Sequence, residues 1–122
     1  MQLLNTIRFS QLSASRQTLV RIFQATNYGY IEALEVRHGE PLFSAEGPTV
    51  FADIRLDSEE QPRAELDLTD FALSAECCRL VSLLDQVQNG RISKIEVRAG
   101  LPRKITLEKP VKEVACREAG RI

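Results

Sequence analysis

The sequence lacks the features that mark membrane-spanning, secreted and disulfide-rich chains. No apolar run approaches the roughly 18 residues that a transmembrane helix requires, and the start of the chain has no basic segment followed by a continuous apolar stretch. The three cysteines are an odd number without secretory context, so reduced thiols are expected. With 122 residues, 43% of them hydrophobic and 27% charged, the chain is predicted to form a single cytoplasmic domain over residues 1–122.

Residues that carry enzymatic or metal chemistry are also scarce. His38 is the only histidine, and no serine or cysteine stands at a spacing that forms a recognisable nucleophile motif with it. Cys77 and Cys78 are adjacent and Cys116 is distant, which matches no metal-ligand spacing, and Cys78 is predicted to be the more buried of the adjacent pair. The patterns G-x-G-x-x-G and G-x-x-x-x-G-K are both missing. The sequence therefore predicts no catalytic, cofactor-binding or metal-binding residues.

The chain does contain a repeated sequence motif. "YGYIEALEVRHGEP" at 28–41 and "NGRISKIEVRAGLP" at 89–102 share the frame G-x-I-x-x-x-E-V-R-x-G-x-P. Sliding the chain on itself by 61 positions gives eleven identities over 29 aligned positions. Only about two would arise by chance at ordinary residue frequencies. We therefore predict an internal duplication, with repeats at about 10–56 and 69–117 joined by a charged loop near 57–63.

Each repeat is predicted to form a helix followed by strands. Apolar stripes predict amphipathic helices over 11–27 and 70–88, and Gly29 and Gly90 are predicted to end them with a positive φ. "IEALEVR" and "ISKIEVR" then alternate as half-buried strands, and H-G-E-P and A-G-L-P supply hairpin turns. Return strands are predicted at 42–46 and 103–108, third strands at 49–56 and 111–117, and short strands at "LLNTIRF" (3–9) and "AELDL" (64–68).

One such unit has too little apolar surface to be stable alone, and a second copy supplies the missing face. The predicted fold class is α+β, with a duplicated αββ or αβββ unit that forms one antiparallel sheet. Both helices are expected on one face of that sheet, around a pseudo-two-fold axis.

The first repeat also resembles a known family. The segment from Leu19 to Phe43, in which a helix runs into "YGYIEALEVRHGEPLF", is similar to the small bacterial YezD-like family of uncharacterised proteins. Members of that family run a helix into a Y-G-x-(I/V) strand and a short D-G or H-G hairpin. The resemblance is weaker in the second repeat. It implies a fold and a bacterial origin, and it carries over no catalytic residues.

The recurring strand face is the best candidate for a binding surface. Glu35 and Arg37 recur as Glu96 and Arg98, and in one interpretation such charges pair across strands and only keep the sheet soluble. In the other, Arg37 and Arg98 lie side by side and present two guanidinium groups to carboxylate or phosphate. The candidate binding face comprises Glu35, Arg37, Arg91, Lys94, Glu96, Arg98, Arg103 and Lys104.

Three functions are compatible with this sequence. The favoured one is a non-catalytic interaction module that binds another protein or itself through its sheet. The second is an anion or nucleic-acid backbone binder, because residues 89–122 carry a formal charge of +5 and residues 1–88 carry −6, although the basic hairpin has no aromatic residue. The third is an unrecognised enzyme that uses His38 with Glu35 or Glu40 as acid and base. Neither a membrane partner nor a cofactor is predicted.

Overall fold

The computed structural model describes residues 7–109. Its helices and strands are α1 (Ala14–Thr26), β1 (Tyr28–Arg37), β2 (Glu40–Leu42), β3 (Thr49–Ala52), α2 (Ala75–Val87), β4 (Gly90–Arg98) and β5 (Leu101–Leu107). The strands form one antiparallel sheet in the order β2-β1-β4-β5, and β3 pairs with β1 on the same edge as β2. The predicted α+β class is confirmed.

Both helices are preceded by a capping serine and are shorter than the sequence pattern indicates. The hydroxyl of Ser13 accepts a hydrogen bond from the backbone N–H of Arg16, and the hydroxyl of Ser74 accepts one from Cys77. Each cap satisfies one of the four amide groups that lack a partner at a helix start. The helices therefore begin at residues 14 and 75 rather than 11 and 70.

The residues that cap the C-terminal ends of the helices are Asn27 and Gln88, and not the glycines that follow. Asn27 has φ 66° and Gln88 has φ 61°, and the backbone N–H of each donates to the carbonyl four residues earlier. The prediction that Gly29 and Gly90 end the helices is therefore wrong. Gly29 is required for a different reason: a Cβ there would clash with the carbonyl oxygen of Phe51, because β3 runs close beside it.

One hydrophobic core lies between the helices and the sheet. Leu19 and Phe23 of α1 and Leu80 and Leu84 of α2 belong to the same cluster of buried side chains. Because both helices bury their apolar faces against the same strands, they lie on one face of the sheet, as predicted. The strand residues of this cluster are Ile31, Leu34, Val36, Ile92, Ile95 and Val97.

The long strands do not alternate strictly between the two faces of the sheet. Ile31 and Leu34 are both fully buried although they lie three residues apart, and Ala33 between them has φ 63°. An irregular residue of this kind turns the next side chain back to the same face. In β4, Ile92 and Ile95 are buried with the same spacing. From Leu34 onward the alternation in β1 matches the prediction.

A smaller cluster joins the segments that precede the two helices. Phe9 and Phe71 stack with their ring centroids 4.9 Å apart, and Val20 and Cys77 pack against them. Cys77 is buried and Cys78 is only half-buried, so the prediction that Cys78 is the more buried is wrong. The reason is that Cys77 lies on the helix face that contacts this cluster. Burial raises the pKa of the Cys77 thiol.

The two hairpin turns have matching backbone geometry. Gly39 and Gly100 have φ of 75° and 78°, and His38 and Ala99, which precede them, have φ of 53° and 52°. Two successive residues with positive φ are typical of a tight hairpin turn that matches the twist of its strands. The predicted hairpins are thus present at both positions.

The pairing between β1 and β4 is reciprocal. Ile31 lies opposite Ile95, and Leu34 lies opposite Ile92. Ile31 and Ile92 are equivalent positions of the predicted repeats, as are Leu34 and Ile95. A two-fold relation between the halves would require this register, whereas the duplication itself stays a prediction.

Several strand boundaries differ from the predictions. The return strands begin two residues earlier than expected. The third strand of the first repeat spans only Thr49–Ala52. The strand predicted at "AELDL" is wrong, because Ala64–Asp67 forms a short 3-10 helix. Residues 57–63 contain no helix or strand, in agreement with a loop. The strand predicted at 111–117, Cys116, and residues 3–6 of the strand predicted at 3–9 lie outside the described residues.

Candidate binding surface

The predicted binding face lies on the side of the sheet that the helices leave uncovered. Its residues come from β1, β4 and β5, and each has a half-buried or exposed side chain. Arg37, Arg91, Arg98, Arg103 and Lys104 are exposed, whereas Glu35, Lys94 and Glu96 are half-buried.

Arg37 and Arg98 are far apart. Arg98 lies opposite Tyr28 at the first residue of β1, and Arg37 is the last residue of the same strand. Nine residues of extended chain separate these two ends, about 30 Å at a rise of ~3.3 Å per residue. The hypothesis that the two guanidinium groups lie side by side is therefore wrong, because an antiparallel pair brings equivalent residues to opposite ends.

Part of the charge on this face is compensated by ion pairs. Arg91 lies 3.5 Å from Glu35 and 3.5 Å from Glu108, and Arg103 lies 2.9 Å from Glu96. All of these side chains are substantially exposed, so the pairs stabilise the fold little and are screened by salt. Their main effect is to lower the net charge of the sheet face.

The sheet also brings aromatic residues to this face. Tyr30 lies opposite Phe51 of β3, and the two rings stack with their centroids 4.8 Å apart. The ammonium nitrogen of Lys94 lies 4.6 Å from the centroid of Tyr30, within the range of a cation–π interaction. The alternating pattern of residues 49–56 predicts a strand, but no local pattern indicates that it pairs with β1. The sequence therefore does not predict that Tyr30 and Phe51 stack on each other.

Apolar exposure is concentrated at the edge of the sheet formed by β2 and β3. Ile54 and Leu56, which follow β3, are 75% and 95% exposed. Neither β2 nor β3 contributes a residue to the main cluster of buried side chains, which explains why apolar residues there remain accessible. We call this group the edge patch; it consists of Leu42, Phe43, Val50, Phe51, Ile54 and Leu56.

In the described part of the chain, β5 forms one outer edge of the sheet and β3 lies on the other, and these strands differ in their protection against further strand pairing. β5 carries Pro102 and Lys104, and its register with β4 shifts at Arg103. A proline, charged side chains and a bulge are the usual means by which an edge strand avoids pairing with another chain. β3, with the sequence TVFA, has none of these. The β3 edge is thus the less protected one.

A cavity of about 970 Å³ opens between the C-terminal end of α2 and the start of β4. Leu83, Val87 and Leu107 supply apolar surface to its lining, which also includes Arg37 and Arg91. Its volume is within the range of ligand pockets. Its lining carries Arg37, Arg91 and Lys109 against Glu35 and Glu108, and Arg91 is paired with both carboxylates, so the net formal charge of the lining is only +1.

The three residues of the acid–base hypothesis have different surroundings. His38 is exposed in its turn, and Glu35 contacts Arg91. Glu40 accepts hydrogen bonds from the hydroxyls of Ser13 and Ser15 at the start of α1. Although burial acts to raise the pKa of Glu40, the hydrogen bonds from these serines and the charge of Arg16 lower it below the ordinary value. Glu40 therefore holds the hairpin against α1. Within residues 7–109, no group of three His, Cys, Asp or Glu side chains has the geometry of a metal site.

Comparisons of the chain with protein-family models, with curated proteins and with solved structures find no match. Neither α1 nor α2 is long and apolar enough to cross a membrane.

Proposed function

We propose that the protein is a non-catalytic binding module that contacts another protein through the edge patch. The observation that carries this proposal is the position of the exposed apolar side chains. Seven of the eight large ones in the described part of the chain lie between residues 28 and 56. Isolated apolar residues are normal on a protein surface, but a concentration of them is typical of an interaction site. The odd cysteine count without secretory context and the family resemblance support a bacterial cytoplasmic location for this module.

Two features of the edge patch suit a protein partner. Among residues 7–109, no strand pairs with the outer edge of β3, and addition of a partner's strand at such an edge orients the partner through main-chain hydrogen bonds. Ile54 and Leu56 then supply apolar surface, and burial of such surface contributes about 25 cal/mol per Å². A partner that buries both side chains gains affinity and a defined orientation together.

Site-specific photo-crosslinking in the source organism tests the proposal. We expect a photoreactive amino acid at position 54 to form an adduct with one discrete protein, and the same group at position 104, on the protected β5 edge, to form none. The complex should then reassemble from purified components and be weakened by Ile54→Lys but not by Lys104→Glu. Equal crosslinking from both positions, or none from position 54, would count against a binding site at the edge patch.

A second candidate function is supported by the aromatic group on the open face of the sheet. Stacked Tyr30 and Phe51 lie beside Lys94, and Lys104 is exposed on the neighbouring β5. Aromatic rings next to cations are what sequence-tolerant binding of single-stranded nucleic acid requires. If this is the function, single-stranded oligonucleotides bind at low salt, more weakly at moderate salt, and more weakly still to Phe51→Ala. The absence of binding at low salt would exclude it.

A further inference from the structure

The chain that follows β3 extends beyond its neighbouring strand. The backbone N–H of Asp53 donates to the carbonyl of Tyr28 at 2.7 Å, and Tyr28 is the first residue of β1. Within the described residues, β3 pairs only with β1, so its outer edge has no strand beside it. Residues 54–56 therefore offer a second strand their backbone N–H and C=O groups, together with the exposed side chains of Ile54 and Leu56.

The sequence of this segment, A-D-I-R-L, is complementary to itself when two copies run antiparallel. Directly opposite residues in a sheet have their side chains on the same face. If the sheets of the two copies are to join with matching faces, even-numbered residues must therefore lie opposite even-numbered ones, and odd-numbered residues opposite odd-numbered ones. A register centred on Ile54 places Asp53 opposite Arg55 of a second copy, twice by symmetry. Registers centred on Asp53 or on Arg55 would place two like charges opposite each other, which is unfavourable. Among these three registers, charge therefore favours the one centred on Ile54.

The same register also matches the apolar side chains. Ile54 lies opposite its own copy, and Leu56 lies opposite Ala52, whose small side chain leaves room for it. Val50 is even-numbered, like Ile54 and Leu56, and it pairs with Ile31, which is buried on the helix-covered face of the sheet. Ile54 and Leu56 would thus extend the apolar face of the sheet into the second copy.

We propose that the partner bound at the edge patch is a second copy of this chain, joined through antiparallel pairing of residues 52–56. This inference rests on the proposed function, because it names the partner of the same surface. In the single chain Arg55 pairs with Asp57 at 3.1 Å, but both side chains are more than half exposed. An exposed pair of this kind is worth little, so Arg55 is readily transferred to Asp53 of the second copy.

Sedimentation equilibrium of the full chain over a range of concentrations tests the pairing. We expect a reversible dimer that Asp53→Arg and Arg55→Asp each weaken at least about tenfold, because each substitution creates two like-charge contacts across the axis. The double variant D53R/R55D restores opposite charges and should regain most of the affinity. Lys104→Glu on the β5 edge is the matched control and should leave the dimer unchanged. Circular dichroism verifies that each variant is folded.

Two results would overturn the inference. One is a parent chain that remains monomeric up to about 1 mM, where even weak complexes form. The other is a dimer that the single variants do not weaken or that the double variant does not restore. The crosslinking experiment separates the two proposals: a different protein captured from position 54, with a monomeric parent chain, removes self-association and leaves the binding module in place. No capture from position 54 and no dimer would remove both.

Discussion

The backbone amide of Gly39 donates a hydrogen bond of 2.7 Å to the carbonyl of Gln88, the residue that ends α2. In the other half, the amide of Gly100 donates to the carbonyl of Asn27, which ends α1, at 2.9 Å. Each hairpin turn is therefore joined to the end of the helix in the other half. Because the last carbonyls of a helix have no partner within the helix, this exchange satisfies them and holds the two halves together.

The first prediction concerns the turn at Gly39. Gly39 has φ 75°, and an added Cβ would lie 3.0 Å from Nη2 of Arg16 and 3.3 Å from the carbonyl oxygen of Leu84. We expect Gly39→Ala to lower the free energy of unfolding by about 1–3 kcal/mol, measured by urea denaturation. Gly90→Ala is the control, since a Cβ there meets only Val87 and no positive φ is required; its loss should stay below about 1 kcal/mol. Equal losses would contradict the role of the positive φ.

The second prediction compares neighbouring residues on opposite faces of the sheet. Val36 and Val97 are almost completely buried, and we expect replacement of either by alanine to lower the free energy of unfolding by about 1–3 kcal/mol. Arg37→Ala and Arg98→Ala should each change it by less than about 0.5 kcal/mol, because exposed charges contribute little. Denaturant unfolding of the four variants measures both effects. Valine variants as stable as the parent would show that the common core is not required.

The third prediction concerns the separated halves. Leu19 and Phe23 from the first half and Leu80 and Leu84 from the second share one cluster, and β1 pairs with β4 along most of its length. Fragments 1–62 and 63–122 should therefore each fail to fold, because each loses the face against which its apolar residues are buried. Circular dichroism and thermal unfolding of the isolated fragments measure this. A cooperative transition in either fragment would mean that a half is stable without the other.

The fourth prediction concerns Arg21, whose guanidinium carbon lies 4.3 Å from the ring centroid of Phe9. The same side chain donates to the carbonyl of Glu65 at 2.8 Å and also to that of Leu68. Lysine cannot stack and make several planar hydrogen bonds at once, so Arg21→Lys should lower the free energy of unfolding by about 1–3 kcal/mol. Arg79→Lys, at an exposed position of α2, is the control and should change it by less than about 0.5 kcal/mol. Urea denaturation compares the two variants.

The fifth prediction concerns acid stability. The guanidinium of Arg8 and the backbone N–H of Ser10 donate to Asp70 and hold its pKa at about 2, below the ordinary 3.8. A lowered folded-state pKa stabilises the protein above the unfolded-state pKa, and this stabilisation is lost as the pH falls through 2. The parent should therefore be more stable than Asp70→Asn at neutral pH, and the difference should vanish near pH 2.

Urea denaturation between pH 2 and 7 measures this difference. Arg8→Gln removes the main hydrogen-bond donor to Asp70, so this variant should lose most of the pH-dependent stability that Asp70 provides. A difference between the parent and Asp70→Asn that stays constant down to pH 2 would contradict this origin of the acid sensitivity.

Much of the local structure could be predicted because it depends on neighbouring residues. The helical stripe that contains Leu19 and the stripe that contains Leu84 both became buried helix faces. The turns at Gly39 and Gly100 form where glycine permits a positive φ. The helix ends were missed, because Asn27 and Gln88 take up a conformation that glycine usually supplies.

The candidate surface was predicted less well, because it depends on strand pairing. Glu35 and Glu96 do lie on the open face, but Glu35 pairs with Arg91 of β4 and Glu96 pairs with Arg103 at the bulge of β5. The separation of Arg37 from Arg98 follows from the antiparallel register and from no local pattern. The exposure of Ile54 and Leu56 was not predicted, because their alternating pattern is also typical of a half-buried strand.

The sequence by itself determined the α+β class, the two helices and the two hairpins, because periodicity and turn chemistry act over a few residues. Only the tertiary structure decided that β3 lies on the outer edge of β1, that Tyr30 stacks on Phe51, and that the edge patch remains exposed. Those outcomes depend on which distant strands pair and on which part of the sheet two 13-residue helices can cover, and neither is written in any short stretch of the chain.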